Sequence, residues 1–249
     1  MFFDAQFVAV MLLALLSVIT TVAGVLLAAA IRDNARAIAG GIGFSAGIMI
    51  LVSMLELIPA ARTTAASGAV LATALFGATL LWLMNLLIPH SHIVSEHGEP
   101  DTRLVRSAYM VAVGLILHDV PEGFAMANAY VSSPTLGVLV ALAIALHNLP
   151  EEFAMALPAM AIRGRPFLVR AAVLSALAEP LGALIGLVAV GMTPALNGYF
   201  MAFAAGAMLF VSFHELLPMA RRYGRLEWFG IGLAASAVVH RLLGVVTAR

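Results

Sequence analysis

Residues 104–130 read LVRSAYMVAVGLILHDVPEGFAMANAY, with His118, Asp119, Pro121 and Glu122 in the middle of a long apolar run. A bilayer core is spanned by about 20 apolar residues in a helix, so this stretch is long enough to cross. Seven more segments qualify: residues 7–31, 37–61, 65–88, 134–162, 167–191, 195–219 and 228–247. The 249-residue chain is 63% hydrophobic and 10% charged, with a mean hydropathy of +1.05, far from the balance of a soluble domain. The fold expected is an all-α integral membrane protein of eight transmembrane helices, forming one domain over residues 1–249. Residues 1–6 contain only Asp4 as a charge, so the first segment lacks the basic start of a signal peptide and is expected to be retained.

Cysteine is absent, which excludes disulfides, thiolate zinc sites and thiol catalysis, and leaves His, carboxylate, amide and Met as ligands. The 13 basic residues are all Arg, scattered among short connections in a chain of zero net charge, so nothing suggests a nucleic-acid surface. Ten of them follow segments one, three, five and seven: Arg32, Arg36, Arg103, Arg106, Arg163, Arg165, Arg170, Arg221, Arg222 and Arg225. The positive-inside rule places those loops in the cytoplasm and both termini outside, in a bacterial cytoplasmic membrane. The longest of them, residues 89–103, holds His90, His92 and His97 among Glu96, Glu99 and Asp101, and reads as a solvated polar loop with weak metal binding as the alternative.

Two internal repeats organise the chain. A shift of 159 aligns residues 44–62 with 203–221 at 11 of 19 positions, and a shift of 29 aligns residues 117–127 with 146–156 at 8 of 11. The copies lie in segments two and seven and in segments four and five. Each pair joins an even-numbered to an odd-numbered span, so the copies run in opposite directions. The expected symmetry relates helices 1–3 to helices 6–8 and helix 4 to helix 5, an arrangement typical of secondary transporters.

Seven carboxylates fall within the spans or at their ends: Glu56, Asp119, Glu122, Glu151, Glu152, Glu179 and Glu215. Uncompensated, they would cost on the order of 20 kcal/mol, at about 2.5–3.5 kcal/mol each near a helix centre. Intramembrane ion pairs are the structural alternative, but there is no Lys, and every Arg lies in a loop or near a span's end. Protons or bound cations must compensate.

His118 and Glu122 are four residues apart and share a helix face, and His147 and Glu151 repeat the spacing on the next helix. Two imidazoles and two carboxylates suit a borderline cation such as Zn²⁺ and are too nitrogen-rich for Mg²⁺ or Ca²⁺. Pro121 and Pro150 free the carbonyls of Leu117 and Leu146 where the ligands sit. A lone buried His is commonly a satisfied core residue; two copies on paired helices favour ligation.

These motifs resemble the ZIP family of zinc- and iron-type divalent metal transporters, whose fourth and fifth helices typically carry His-Asn-x-Pro-Glu-Gly. Supporting marks are Ala178-Glu179-Pro180-Leu181-Gly182, His214-Glu215-Leu216-Leu217-Pro218, and Gly47-Ile48-Met49 through Glu56 and Pro59. The resemblance covers the whole chain and implies a binuclear site. One metal would use His118, Glu122, His147 and Glu151 with Met49 as a soft neighbour. Its companion would use Asp119, Asn148 and Glu179, with Glu122 and Glu151 bridging. Asp119 stands where the family motif has Asn, adding a charge that favours a second divalent ion or a harder one. Glu152 stands where it has Gly, turned about 100° from Glu151; facing a vestibule, snorkelling and staying protonated are its open readings.

Glu215 lies seven residues after Met208 on one helical face, and Glu56 repeats that relation to Met49. Glu56, His214 and Glu215 are read as staging ligands on a transport pathway, with a structural hydrogen-bonding role as the alternative. His240, beside Arg241, reads as interfacial. Most of the 13 Met residues read as packing or lipid-facing.

The function expected is secondary transport of a divalent transition metal into the cytoplasm by alternating access, zinc first, with iron, manganese and cadmium as further cargoes. The metal is substrate, and no cofactor is expected. A metal-selective channel would share the site. An intramembrane metalloprotease is the weaker alternative, since Pro218 stands where His-Glu-x-x-His needs its second His and the zinc-protease motif fails; no P-loop supports ATP-driven pumping. The partners expected are divalent metal ions and the lipid bilayer, with a homodimer left open.

Overall fold

The structure is a computed structural model that describes residues 5–31, 34–87 and 119–248. His118 and the 89–103 loop with its three His residues lie outside the described residues. Helices α1 (Ala5–Ile31), α2 (Ala35–Arg62), α3 (Ser67–Leu87), α4 (residues 119–132), α5 (Pro134–Glu152), α6 (Ala172–Met192), α7 (Pro194–Arg222) and α8 (Leu226–Thr247) make up the described chain. All but α4, of which only part is described, are long and apolar enough to cross a membrane. Helix starts follow local chemistry. Asn34 Oδ1 accepts from the Ala37 amide at 3.1 Å to cap α2, and Ser133 Oγ accepts from the Leu136 amide with Pro134 opening α5.

The sequence predicts a break between the fifth and sixth spans around Arg163-Gly164-Arg165-Pro166. The backbone instead stays helical throughout Pro134–Met192. Its direction nevertheless reverses. Asn148 and Glu179 would be about 46 Å apart on a straight helix rising 1.5 Å per residue, yet they are hydrogen-bonded at 3.0 Å, and Glu152 likewise meets Ser175. Contacts that descend one arm while ascending the other make α5 and α6 antiparallel, with the reversal made in helical turns between Glu152 and Ser175.

Lipid gives no hydrophobic drive for helices to associate, so close backbone approach at small residues does that work. Gly43 and Gly232 bring α2 onto α8, Gly77 and Gly206 bring α3 onto α7, and Gly123 and Gly182 bring α4 onto α6; at each, a Cβ would strike a backbone carbonyl across the interface. Gly24 brings α1 against Leu149 of α5. Helices α1, α4, α5 and α6 thus form one packed group. Helices α2, α3, α7 and α8 form another, and α2 lies against the first group. Gly206→Ala should lower stability by about 1–3 kcal/mol, the usual cost of overpacking, read as a lower unfolding midpoint in detergent. An unchanged midpoint would mean the α3–α7 spacing does not depend on the missing Cβ.

The two copies of the longer repeat share one irregularity. Each passes from α-helix into a π-helical turn, Val52–Leu57 in α2 and Ser212–Leu216 in α7, then back to α-helix with Pro in its first turn. The Ile58 amide bonds the Ser53 carbonyl and the Leu217 amide bonds the Ser212 carbonyl, each five residues back. A π turn takes one extra residue, worth roughly 100° of rotation at 3.6 residues per turn. Glu56 and Glu215 lie inside these turns, where the α-helical seven-residue spacing from Met49 and Met208 no longer fixes a shared face. Glu56 meets His240 of α8 (Oε1 to Nε2, 3.1 Å), and Glu215 accepts from Asn85 Nδ2 of α3 at 3.0 Å. His240 is buried rather than interfacial, because this carboxylate faces it.

Candidate metal site

Glu122 reaches the centre of the protein from α4, and His147 and Glu151 reach it from α5, one helical turn apart. All three are buried, and one ligand atom from each lies within 4.8 Å of the other two. His147 Nδ1 sits 3.1 Å from the Ala143 carbonyl oxygen. An N–H there donates to the carbonyl and leaves the lone pair on Nε2, the arrangement that orients a histidine for metal. Nε2 faces Glu122 Oε1 at 3.1 Å and Glu151 Oε2 at 3.9 Å. Neither oxygen of Glu122 nor Nε2 of His147 has a hydrogen-bond partner among the described residues. Desolvated acceptors held together this way are costly unless a cation or proton sits among them. Ligands about 2.0–2.2 Å from a tetrahedral Zn²⁺ lie about 3.4 Å from one another, so an ion fits after shifts of less than the width of an atom.

Each remaining sequence-predicted residue except His118, which lies outside the described residues, has a defined place. Met49 is fully buried on α2, one turn after Ser45, whose hydroxyl donates to Glu151 Oε2 at 3.1 Å. Asn148 Nδ2 donates to Glu179 Oε2 at 3.0 Å, and Glu179 also hydrogen-bonds Ser17. Asp119 is drawn to a different neighbour. The Ser175 hydroxyl lies 2.7 Å from Asp119 Oδ2 and 2.5 Å from Glu152 Oε1, and Thr21 donates to the same Glu152 oxygen at 3.2 Å. Glu152 is buried, which rules out snorkelling. Glu56, His214 and Glu215 are not among the groups that converge with Glu122, His147 and Glu151. His214 is exposed and stacks on Phe210, ring centroids 4.6 Å apart.

The hydroxyls of Ser17, Thr21, Ser45 and Ser175 escaped the sequence reading. Ser17 and Thr21 carried a signal, since two hydroxyls four residues apart on an otherwise apolar helix share a face. Ser45 and Ser175 stand alone on their helices' inner faces, and only the packing reveals what they touch.

The model of the ZIP zinc transporter family matches residues 88–246. The zinc transporter ZupT of Chlorobium luteolum is 39% identical over 259 residues, covering 96% of this chain and 97% of its own. ZupT proteins of Corynebacterium efficiens and Streptococcus mutans are 36% and 35% identical, covering 88% of this chain each and 90% and 89% of their own. With a family model across most of its length, and relatives aligned nearly end to end, this chain belongs to the ZIP zinc transporter family.

Proposed function

We propose that this multi-pass membrane protein is a secondary transporter carrying zinc into the cytoplasm, and that Glu122, His147 and Glu151 hold the ion in transit, joined by His118 and with Met49 as a soft neighbour. The observation that carries this is the convergence of buried Glu122, His147 and Glu151 inside the membrane, with both Glu122 oxygens and His147 Nε2 lacking a hydrogen-bond partner among the described residues, in a chain whose Arg side chains sit at its loops and span ends. A cation is what such a set lacks. Asp119, Asn148 and Glu179 supply a second, harder set beside it, so the site is binuclear and admits iron, manganese and cadmium. Glu56, His214 and Glu215 stage the ion along the pathway.

The Arg-rich connections lie in the cytoplasm, both termini lie outside, and the 89–103 loop is a cytoplasmic appendage. Access alternates as α1, α4, α5 and α6 move against α2, α3, α7 and α8, a motion supported by opposed repeats whose local irregularity recurs at equivalent positions.

Uptake across a panel of divalent ions in proteoliposomes tests the reading. Saturable zinc uptake with counterflow is expected. Flux that neither saturates nor exchanges would make the protein a channel. Asp119→Asn should leave zinc uptake measurable and shift competition away from Mn²⁺ and Fe²⁺; an unchanged competition series together with unchanged metal stoichiometry would remove Asp119 from the site.

A further inference from the structure

The carboxylate of Glu151 is held from outside its own group of helices. Glu151 belongs to α5, packed with α1, α4 and α6, whereas Ser45 belongs to α2, packed on α8. The Ser45 hydroxyl crosses that boundary and donates to Glu151 Oε2 at 3.1 Å. It is the same oxygen that faces His147 Nε2, so the hydroxyl acts on the ligating side of the carboxylate. Ser45 is fully buried, and no bulk water competes for the bond.

The chemistry of the donor matters. A hydroxyl brings one proton and no charge, so Oε2 keeps lone-pair capacity for a cation, whereas a Lys or Arg here would repel the ion. Hydrogen bonds to ligating carboxylates orient them, and their loss typically weakens metal binding by 10–100-fold. The bond also depends on the register of α5 against α2. If the metal-bearing group moves past α2, Ser45 loses Glu151.

We propose that Ser45 is a positioning residue for the metal centre: it aims Glu151 at Glu122 and His147 and marks the register in which the site is assembled. The proposal rests on the reading of those three residues as metal ligands.

The test uses the purified full chain, measuring zinc affinity by calorimetry in detergent and KM and maximal rate of zinc uptake in proteoliposomes. Ser45→Ala and Ser45→Val, the latter with the shape of Thr but no hydroxyl, should raise Kd and KM about tenfold while the maximal rate at saturating zinc stays within about twofold. Ser45→Thr, which keeps the hydroxyl, should bind like the native protein. A packing defect alone would instead lower the active fraction and maximal rate without weakening the remaining sites. Native Kd in Ser45→Ala and Ser45→Val, or equal impairment in Ser45→Thr, overturns the proposal. Glu122→Gln separates the two levels. Zinc binding lost there but intact in Ser45→Ala removes Ser45 alone, whereas zinc binding intact in Glu122→Gln removes the centre on which Ser45 depends.

Discussion

Glu122→Ala should reduce zinc uptake by more than about a hundredfold at matched expression, because losing even an outer partner of a ligand weakens metal sites by 10–100-fold. Glu122 is the one member of the three-residue cluster that comes from α4, and its carboxylate closes the cluster opposite the two α5 residues. Its removal leaves His147 and Glu151 one turn apart on a single helix, too few and too one-sided for a tetrahedral ion. Folding should survive, since the imidazole of His147 keeps its bond to the Ala143 carbonyl and stays neutral once the carboxylate 3.1 Å from its Nε2 is gone. Radiolabelled zinc uptake and size-exclusion behaviour together check both halves. Normal uptake would show that the assigned centre is wrong.

An equally large effect is expected from tying the two helix groups together. Phe124 of α4 packs edge-on against Phe200 of α7, ring centroids 5.5 Å apart, one residue from each group. The chain has no native cysteine, so a Phe124→Cys, Phe200→Cys double variant carries only the two thiols of interest. Before crosslinking it should transport. After reaction with a short thiol-bridging reagent, uptake should fall to background, while both single-Cys variants stay active under the same treatment. Full-rate uptake by the crosslinked protein would mean that the groups need not move past each other, and would favour a channel.

Much of this was legible in the sequence because lipid imposes simple rules. Apolar runs of the right length announced the spans, and the 29-residue repeat of His-x-x-Pro-Glu marked the candidate ligands, since helical spacing alone puts His147 and Glu151 on one face. What periodicity could not give is what depends on departures from it. The π turns interrupt the α-helical spacing on which the shared faces of Glu56 and Glu215 rested, and nothing in the composition of Val52–Leu57 marks an extra residue per turn. His240 looked interfacial because its partner, Glu56, lies far away in sequence, on the second helix of the chain. The continuous helical run through Arg163-Gly164-Arg165-Pro166 likewise overrode a Gly and Pro signal that normally ends a helix. Asp119 and Glu152, the two departures from the family motif, were each visible as oddities. Their meeting at Ser175 was not, since it needs α4, α5 and α6 placed in space.

The central claim is that Glu122, His147 and Glu151 together hold zinc inside the membrane. Anomalous diffraction at the zinc absorption edge, from crystals of the zinc-loaded full chain, measures this directly. The account predicts an anomalous peak within bonding distance of His147 Nε2 and of carboxylate oxygens of Glu122 and Glu151. A zinc peak elsewhere in the chain, with none among these three residues at saturating zinc, would contradict it.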